Sequence, residues 1–156
     1  NQVVNSAPLG GELTVHLKIR SVEQGGLQNV AIVDLLPGGF EVVRDSIRSA
    51  ARPAPHDRAE EGGEEEGGEE EQDPASQETT PSAGPGAAAF APDYVDVRED
   101  RVVIFGHAQS SAQEFTYRIK AINQGVYAVP PVFGESMYDR AVQARGLGAR
   151  ISVEKP

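Results

Sequence analysis

Hydrophobic and polar positions alternate along most of this chain, except in its middle. Residues 12–20 place four apolar side chains on one side and polar ones on the other, the period-two pattern of a strand with one wet face. Residues 115–121 repeat this alternation from Phe115 to Ala121. Residues 30–36 form a more continuous apolar run, which predicts a strand that is buried on more of its surface.

Turn signals separate these segments. The Pro-Gly-Gly sequence at residues 37–39 forces a turn before the next short strand. Residues 94–97 and 102–105 flank a charged tetrapeptide, which is the pattern of a hairpin, and a final strand is predicted at residues 150–154. We count six to eight short strands and no amphipathic segment of helical length beyond a turn near residues 45–48.

These elements predict one domain of the all-β class. The chain has 156 residues, which corresponds to one domain by the usual prior of about 100 to 200 residues each. We therefore expect a single antiparallel β-sandwich of immunoglobulin-like size spanning residues 1–156. The middle of the chain, residues 52–92, would be an insertion in one of its inter-strand loops.

The stretch GVYAVPPVFGESMY at residues 125–138 departs from simple alternation. An apolar strand pattern stops at Pro130 and Pro131, which fix φ and lack a backbone N–H, so the ladder cannot continue. We expect a loop to follow, ending in Met137 and Tyr138. Two large side chains after a stiff turn indicate a contact surface.

Charge is concentrated in the predicted insertion. Residues 52–92 hold 11 of the 24 acids and 2 of the 14 bases, a local charge of −9, so the rest of the chain carries only −1 of the total of −10. Their Glu blocks, Gly pairs and Pro/Ala/Ser content offer little to bury, which predicts a disordered, solvated loop. Calcium binding is the alternative, but the EF-hand spacing is absent. No basic patch favours nucleic-acid binding.

Composition excludes several kinds of chemistry. There is no cysteine, so disulfides, thiolate metal sites and thiol nucleophiles are ruled out for this chain. No apolar run reaches the roughly 18 residues of a membrane span, so we expect no direct membrane contact. The N-terminus lacks an initiator Met and the pattern of a signal peptide, which predicts a fragment or a processed product.

The remaining polar residues give weak signals for a catalytic or metal site. The three histidines are far apart in sequence, which argues against a metal triad: His16, His56 and His107. Four acids near the predicted hairpin could act in acid–base chemistry, although a solvated turn is commoner: Asp93, Asp96, Glu99 and Asp100. Ser110 and Ser111 have no neighbouring base. We predict no enzyme activity, no metal and no cofactor.

Four segments together resemble a known family. They are DLLPGGFEVV at residues 34–43, YVDVREDRVVIFG at 94–106, FTYRIKAINQGVYAVPPVFGESMY at 115–138 and the terminal ISVEKP. In this order they resemble the C-terminal macroglobulin-like domain of bacterial alpha-2-macroglobulins, and the resemblance covers nearly all of the chain outside residues 52–92. The Glu/Gly insertion is not typical of that domain.

The resemblance implies a non-catalytic module of a protease inhibitor. Alpha-2-macroglobulins trap proteases that cut a bait region, and many react with the captured enzyme through a Cys-Gln thioester; this chain has no cysteine and no recognisable bait. By resemblance, Met137 and Tyr138 would help to shield the thioester of a neighbouring domain. The implied partners are the neighbouring domains and, through the whole parent, target proteases. The parent would be periplasmic and anchored to the inner membrane by an N-terminal lipid outside this chain.

Two alternatives stay open at the level of sequence. Met137 and Tyr138 could instead cap the end of the sandwich core, although a thioether beside a phenol ring also suits a low-polarity cover. The chain could also be an autonomous immunoglobulin-like binding or adhesion module of an exported protein, an interpretation supported by fold analogy alone.

Overall fold

A computed structural model describes residues 3–50 and 87–155. The predicted disorder of the insertion falls mostly on residues 51–86 and so lies outside the described residues. The described part contains twelve strands and one helix. The strands are β1 (Ser6–Pro8), β2 (Glu12–Ile19), β3 (Leu27–Leu35), β4 (Phe40–Val42), β5 (Ala88–Ala89), β6 (Tyr94–Val97), β7 (Arg101–Ala108), β8 (Gln113–Ala121), β9 (Gly125–Val129), β10 (Phe133–Ser136), β11 (Gln143–Arg145) and β12 (Ala149–Glu154), and the helix is α1 (Arg44–Ala50).

The strands form three sheets. A five-stranded sheet has the order β11-β10-β3-β7-β6, a smaller sheet has the order β2-β8-β4 with β5 also paired to β8, and a three-stranded sheet has the order β1-β12-β9. Within the described residues, pairing is antiparallel except for β1 with β12 and β5 with β8. This mostly antiparallel sandwich confirms the predicted fold class.

The core lies between the inner faces of the β2-β8-β4 sheet and the five-stranded sheet. Alternation along β8 turns Phe115, Tyr117 and Ile119 inward, as the sequence predicts, and β7 supplies the fully buried Val102 and Ile104. The Tyr117 hydroxyl donates a hydrogen bond of 2.6 Å to Asp34 Oδ2 on β3. The two sheets are therefore tied by a polar contact within an apolar core.

The three-stranded sheet closes one end of the core. Ile151 and Val153 of β12 are buried, and the Tyr127 ring of β9 lies edge-on to Phe40 at a centroid distance of 6.5 Å. Gly39 lies directly against the Tyr127 ring, and an added Cβ there would overlap the ring. A glycine is needed at this position because of that close approach, in addition to its role in the predicted turn.

The diproline ends β9 as predicted, but the chain then forms a strand and not the expected loop. Val129 still pairs with β12, whereas Phe133 pairs with Val33 of β3 in the other sheet. Pro130 and Pro131 thus move the chain from one sheet to the next, because neither can donate a ladder hydrogen bond. The four-residue strand β10, which contains a glycine, gave too short an alternation to be predicted.

The end of the predicted insertion is ordered structure. Ala88 and Ala89 pair with β8, and Phe90 is 2% exposed, with its ring against Gly106 of β7. The prediction that disorder extends to residue 92 is therefore wrong for residues 87–92. Phe90 was the first aromatic residue after the acidic run, and burial of its ring in the core holds this segment in place.

The turn predicted near residues 45–48 is a short helix that covers an edge of β8. The backbone N–H of Arg118 donates to Ser46 Oγ at 2.9 Å, and the carbonyl of Arg118 accepts from the Val43 N–H at 2.9 Å. Ile47 is buried in the core. Val43 and the first turn of α1 thus satisfy the backbone groups of Arg118, between the positions of β8 that β5 and β4 pair with.

Candidate functional site

Met137 and Tyr138 project from the connection between β10 and β11. Their side chains are 51% and 82% exposed, and neither belongs to the core. Ser136, one position earlier, is buried, so alternation along the strand directs Met137 to the outer face of the five-stranded sheet. This exposure removes support from the alternative in which the pair caps the sandwich core.

Backbone hydrogen bonds hold the start of this connection in place. The Met137 N–H donates to the Asn29 carbonyl at 2.9 Å, which extends the pairing of β10 with β3 by one residue. The Asp139 N–H donates to Ser136 Oγ at 3.2 Å, and the Val142 N–H donates to the Asp139 carbonyl at 3.1 Å. The two exposed side chains therefore stand on a turn whose backbone is bonded on both sides.

Asn29 lies at an irregularity of β3 that the sequence analysis missed. Its φ of 54° is in the left-handed region, and the register of β3 with β7 shifts between Leu27 and Val30. The Asn29 N–H donates to His107 Nδ1 at 3.3 Å, while His107 Nε2 lies 3.3 Å from Asp93 Oδ2. Asparagine tolerates this conformation better than most residues, which was the one available signal.

The outer faces of the two large sheets differ in chemistry. On the five-stranded sheet, six outward side chains are apolar and partly buried: Ala31, Val33, Leu35, Val103, Phe105 and Phe133. Asp96 and Arg101 share this side, in register with Val103 and Leu35. On the β2-β8-β4 sheet, the outward side chains are polar or charged: Glu12, Thr14, His16, Lys18, Glu41, Thr116, Arg118 and Lys120. We call the first set, together with Tyr94 and Glu135, the apolar outer face.

The other candidate residues do not come together. His16 Nδ1 lies 3.1 Å from Glu114 Oε1 on one sheet, His107 contacts Asp93 on the other, and His56 lies outside the described residues. No group of three or more His, Asp or Glu in residues 3–50 and 87–155 could hold a metal ion. The Ser111 hydroxyl donates to the Gln109 side chain in the turn between β7 and β8.

Two of the four acids around the hairpin, Asp96 and Asp100, are each paired with a neighbouring arginine. Asp96 bonds Arg98 at 2.8 Å, and Asp100 bonds Arg101 at 2.6 Å. The hydrogen bond from Arg101 holds the pKa of Asp100 below its ordinary value, so this carboxyl stays ionised. The geometry matches the solvated turn and not a pair of carboxylates that share a proton.

Asp34 and Tyr117 are the described groups with the clearest effects of burial. Burial raises the pKa of Asp34, and the hydrogen bond from Tyr117 partly opposes this change. Burial, followed by the charge of Asp34 and the hydrogen bond to it, raises the pKa of Tyr117. Both groups lie between the sheets, and this arrangement ties β3 to β8.

The fold defines the class of the protein, a β-sandwich of the macroglobulin-domain type. Residues 2–140 match the family model described as "Bacterial Alpha-2-macroglobulin MG10 domain". The chain therefore belongs to the bacterial alpha-2-macroglobulin MG10 domain family, which confirms the resemblance found in the sequence.

Relatives and solved structures agree with this membership. The chain is 45% identical over 145 residues, 93% of its length, to an alpha-2-macroglobulin homolog of Yersinia pestis, of which it covers 7%. It is similar in fold to the native conformation of Escherichia coli alpha-2-macroglobulin, with a TM-score of 0.66 at 21% identity, covering 97% of this chain and 8% of that one. Salmonella alpha-2-macroglobulin reacted with methylamine gives a TM-score of 0.62 at 18% identity, covering 99% and 8%.

The chain thus spans a small part of the curated relatives it matches, and corresponds to one domain among many in such a protein. In the described residues no helix has both the length and the apolar character needed to cross a membrane.

Proposed function

We propose that this chain is a non-catalytic domain of a bacterial alpha-2-macroglobulin-like protease inhibitor, and that its Met137–Tyr138 turn covers a thioester carried by a neighbouring domain. The observation that carries the proposal is the exposure of these two large side chains on a turn with a bonded backbone. Family membership supplies the context, because an MG10 domain is one part of a multidomain protein.

A thioester needs such a cover because its acyl carbon reacts with water and with amines. An attacking amine nitrogen forms an amide, gives up a proton and releases the sulfur as a thiolate. A thioether and a phenol ring exclude water from the reactive bond while the hydroxyl keeps a hydrogen-bond partner at the rim. Since the turn is bonded to β3 through Asn29, little ordering entropy would be lost when the cover docks.

The chemistry named for a structural relative supports this proposal. The Salmonella protein reacted with methylamine, a small amine that can attack an exposed thioester. A cover would slow that attack in the intact inhibitor and open when a protease triggers a change of shape. The target proteases would be met by the parent as a whole.

The location and partners of the parent follow from the same proposal. We infer that the parent is exported to the periplasm and held at the inner membrane by an N-terminal lipid outside this chain. The partners of this domain would be its neighbours in the same polypeptide, the thioester domain above all.

The experiment is a pair of substitutions in the full-length parent. Met137→Ala with Tyr138→Ala should raise the rate at which methylamine releases a thiol by about tenfold or more, equal to about 1.4 kcal/mol of lost barrier. Leu147→Ala is the matched control, because Leu147 is also a large apolar side chain, 98% exposed, on another connection. It should leave the rate unchanged.

An unchanged rate in the double variant would overturn the shielding role. A parent that releases no thiol with methylamine would overturn it as well, since there would be no thioester to cover. In both cases membership of the family stands, because it rests on the sequence match and not on this reaction.

A further inference from the structure

The apolar outer face is unusual for a sheet surface open to water. An antiparallel sheet with one solvated face normally alternates apolar and polar side chains, as β2 and β8 do. In β3, however, residues 30–33 are apolar on both faces: Val30 and Ile32 are buried inside, while Ala31 and Val33 lie outside. The sequence analysis predicted burial on more of its surface for this strand, and no other element in residues 3–50 or 87–155 packs on its outer side.

Aromatic side chains enlarge this face. The rings of Tyr94 and Phe105 stack at a centroid distance of 6.1 Å, and Tyr94 is 62% exposed. Phe133 lies under the guanidinium of Arg145, 5.9 Å from its ring centroid. Ala31, Val33, Leu35, Val103, Phe105 and Phe133 are not among the side chains that pack on the core. Contiguous apolar surfaces of this kind mark interaction sites.

Glu135 limits which partner can cover the apolar outer face. It lies opposite Ala31 in register, on the outward side of β10, and is partly buried. None of the described residues gives its carboxylate a hydrogen bond or an ion pair. A partner that covers this face must therefore supply a hydrogen-bond donor or a cation at Glu135, since an unpaired buried carboxylate is costly.

The face continues directly into the proposed contact turn. Met137 is two positions beyond Glu135 on the same side of β10, so Phe133, Glu135 and Met137 follow one line along the strand. A domain that met Met137 and Tyr138 would reach the apolar outer face without a gap.

We propose that the apolar outer face is a docking surface for another domain of the same polypeptide, one that brings apolar side chains and places a donor or a cation opposite Glu135. The proposal rests on family membership and on the partner part of the proposed function, but not on thioester shielding.

The occupant is a domain of the parent and not a second copy of this chain. About nine tenths of the length of the curated relatives lies outside the matched region, so such a protein has many domains at high local concentration.

Cysteine labelling in the full-length parent tests the proposal, because this chain has no cysteine of its own. With the other cysteines of the parent replaced, single variants Val33→Cys and Val103→Cys probe the apolar outer face, and Thr116→Cys is the matched control. Val33 and Thr116 are both partly buried, outward residues of a central strand. We expect maleimide to label the two face positions at least about tenfold more slowly than Thr116→Cys.

The alternatives give different results in the same assay. Equal rates at Val33→Cys and Thr116→Cys, fast or slow, would overturn the proposal. Slow labelling that disappears on about a hundredfold dilution would indicate a second copy and would overturn the assignment to a domain in the same chain. Loss of the shielding role alone would leave the labelling pattern unchanged, so the two proposals can fail separately.

A charge reversal tests the requirement at Glu135. Glu135→Lys should speed labelling at Val33→Cys by several fold, because it would place a cation against the proposed donor. Glu41→Lys makes the same change in charge on the outer face of the other sheet and should have no effect. If the two reversals act alike, the proposed donor opposite Glu135 is wrong.

Discussion

The two large sheets share one core but turn opposite chemistries outward. The β2-β8-β4 sheet presents ion pairs, such as Arg118 Nη1 to Glu12 Oε2 at 2.8 Å, and the contact between His16 and Glu114. The five-stranded sheet presents valines, aromatic rings and Glu135, to which none of the described side chains is bonded. The first face can stay in water by itself, whereas the second has the composition of a surface that another domain covers.

This difference separates stability from recognition. Inner residues of both sheets hold the domain together, so their effects appear in the free energy of unfolding. Outer residues of the five-stranded sheet add little to that core and would act when the domain meets the rest of the parent.

The largest expected loss of stability is for Phe115→Ala in the core, and Phe105→Ala on the outer face is its matched comparison, because each phenylalanine lies near a tyrosine ring. Phe115 is 1% exposed with its ring centroid 6.3 Å from Tyr117, and Phe105 lies outside, 6.1 Å from Tyr94. Phe115→Ala should lower the free energy of unfolding by about 3 to 5 kcal/mol because it opens a cavity, and Phe105→Ala by about 1 kcal/mol. Urea titration of the two variants measures this. Equal losses would contradict the division into core and docking face.

The next largest loss of stability is expected from removing the hydrogen bond between Tyr117 and Asp34, which joins the two sheets. Tyr117→Phe removes the donor to Asp34 and should lower the free energy of unfolding by about 1 to 3 kcal/mol, because the buried carboxyl is left without this hydrogen bond. Urea titration at two pH values measures the loss. If the variant is as stable at neutral pH as the domain without the substitution, this hydrogen bond does not hold the sheets together.

Asp34→Asn is the control for that pair and has its own dependence on pH. Burial raises the folded pKa of Asp34, so the folded state binds its proton more tightly than the unfolded state does. The stabilising contribution is present below the ordinary pKa of 3.8 and is lost as the pH rises through the raised folded value. Asp34→Asn should flatten this fall in stability, and an unchanged pH profile would show that Asp34 does not cause it.

The smallest effect is expected on the charged outer face. Arg118→Gln removes the exposed ion pair with Glu12 and should cost about 0.2 to 1 kcal/mol at low salt, with less difference at high salt. Thermal unfolding at two ionic strengths measures it. A loss as large as that of Phe115→Ala would mean that this face also contributes to the core.

The sequence predicted most of the fold from local patterns. Alternation located β2 and β8, the charged tetrapeptide located the β6–β7 hairpin, and Pro130 marked the end of β9. It missed β10 because a four-residue strand gains its order from pairing with β3, and it placed Phe90 in the disordered segment because burial of one ring is a tertiary contact. The diproline pattern marked Met137 and Tyr138 as a contact surface and the family resemblance suggested their role, whereas the backbone hydrogen bonds that support their turn were not predicted.

What the sequence determined by itself is the class of domain, its family and the division between a nearly neutral folded part and an acidic middle segment, since alternation, turn residues and charge are local properties. The tertiary structure alone decided that the Asn29 carbonyl accepts from the Met137 N–H and that Asp34 meets Tyr117. It also decided that the outer side of the apolar run in β3 is not covered by other described elements. These features depend on which strands become neighbours. Strand pairing joins residues that are far apart in sequence, and the backbone hydrogen bonds that do so leave no signature in the local sequence pattern.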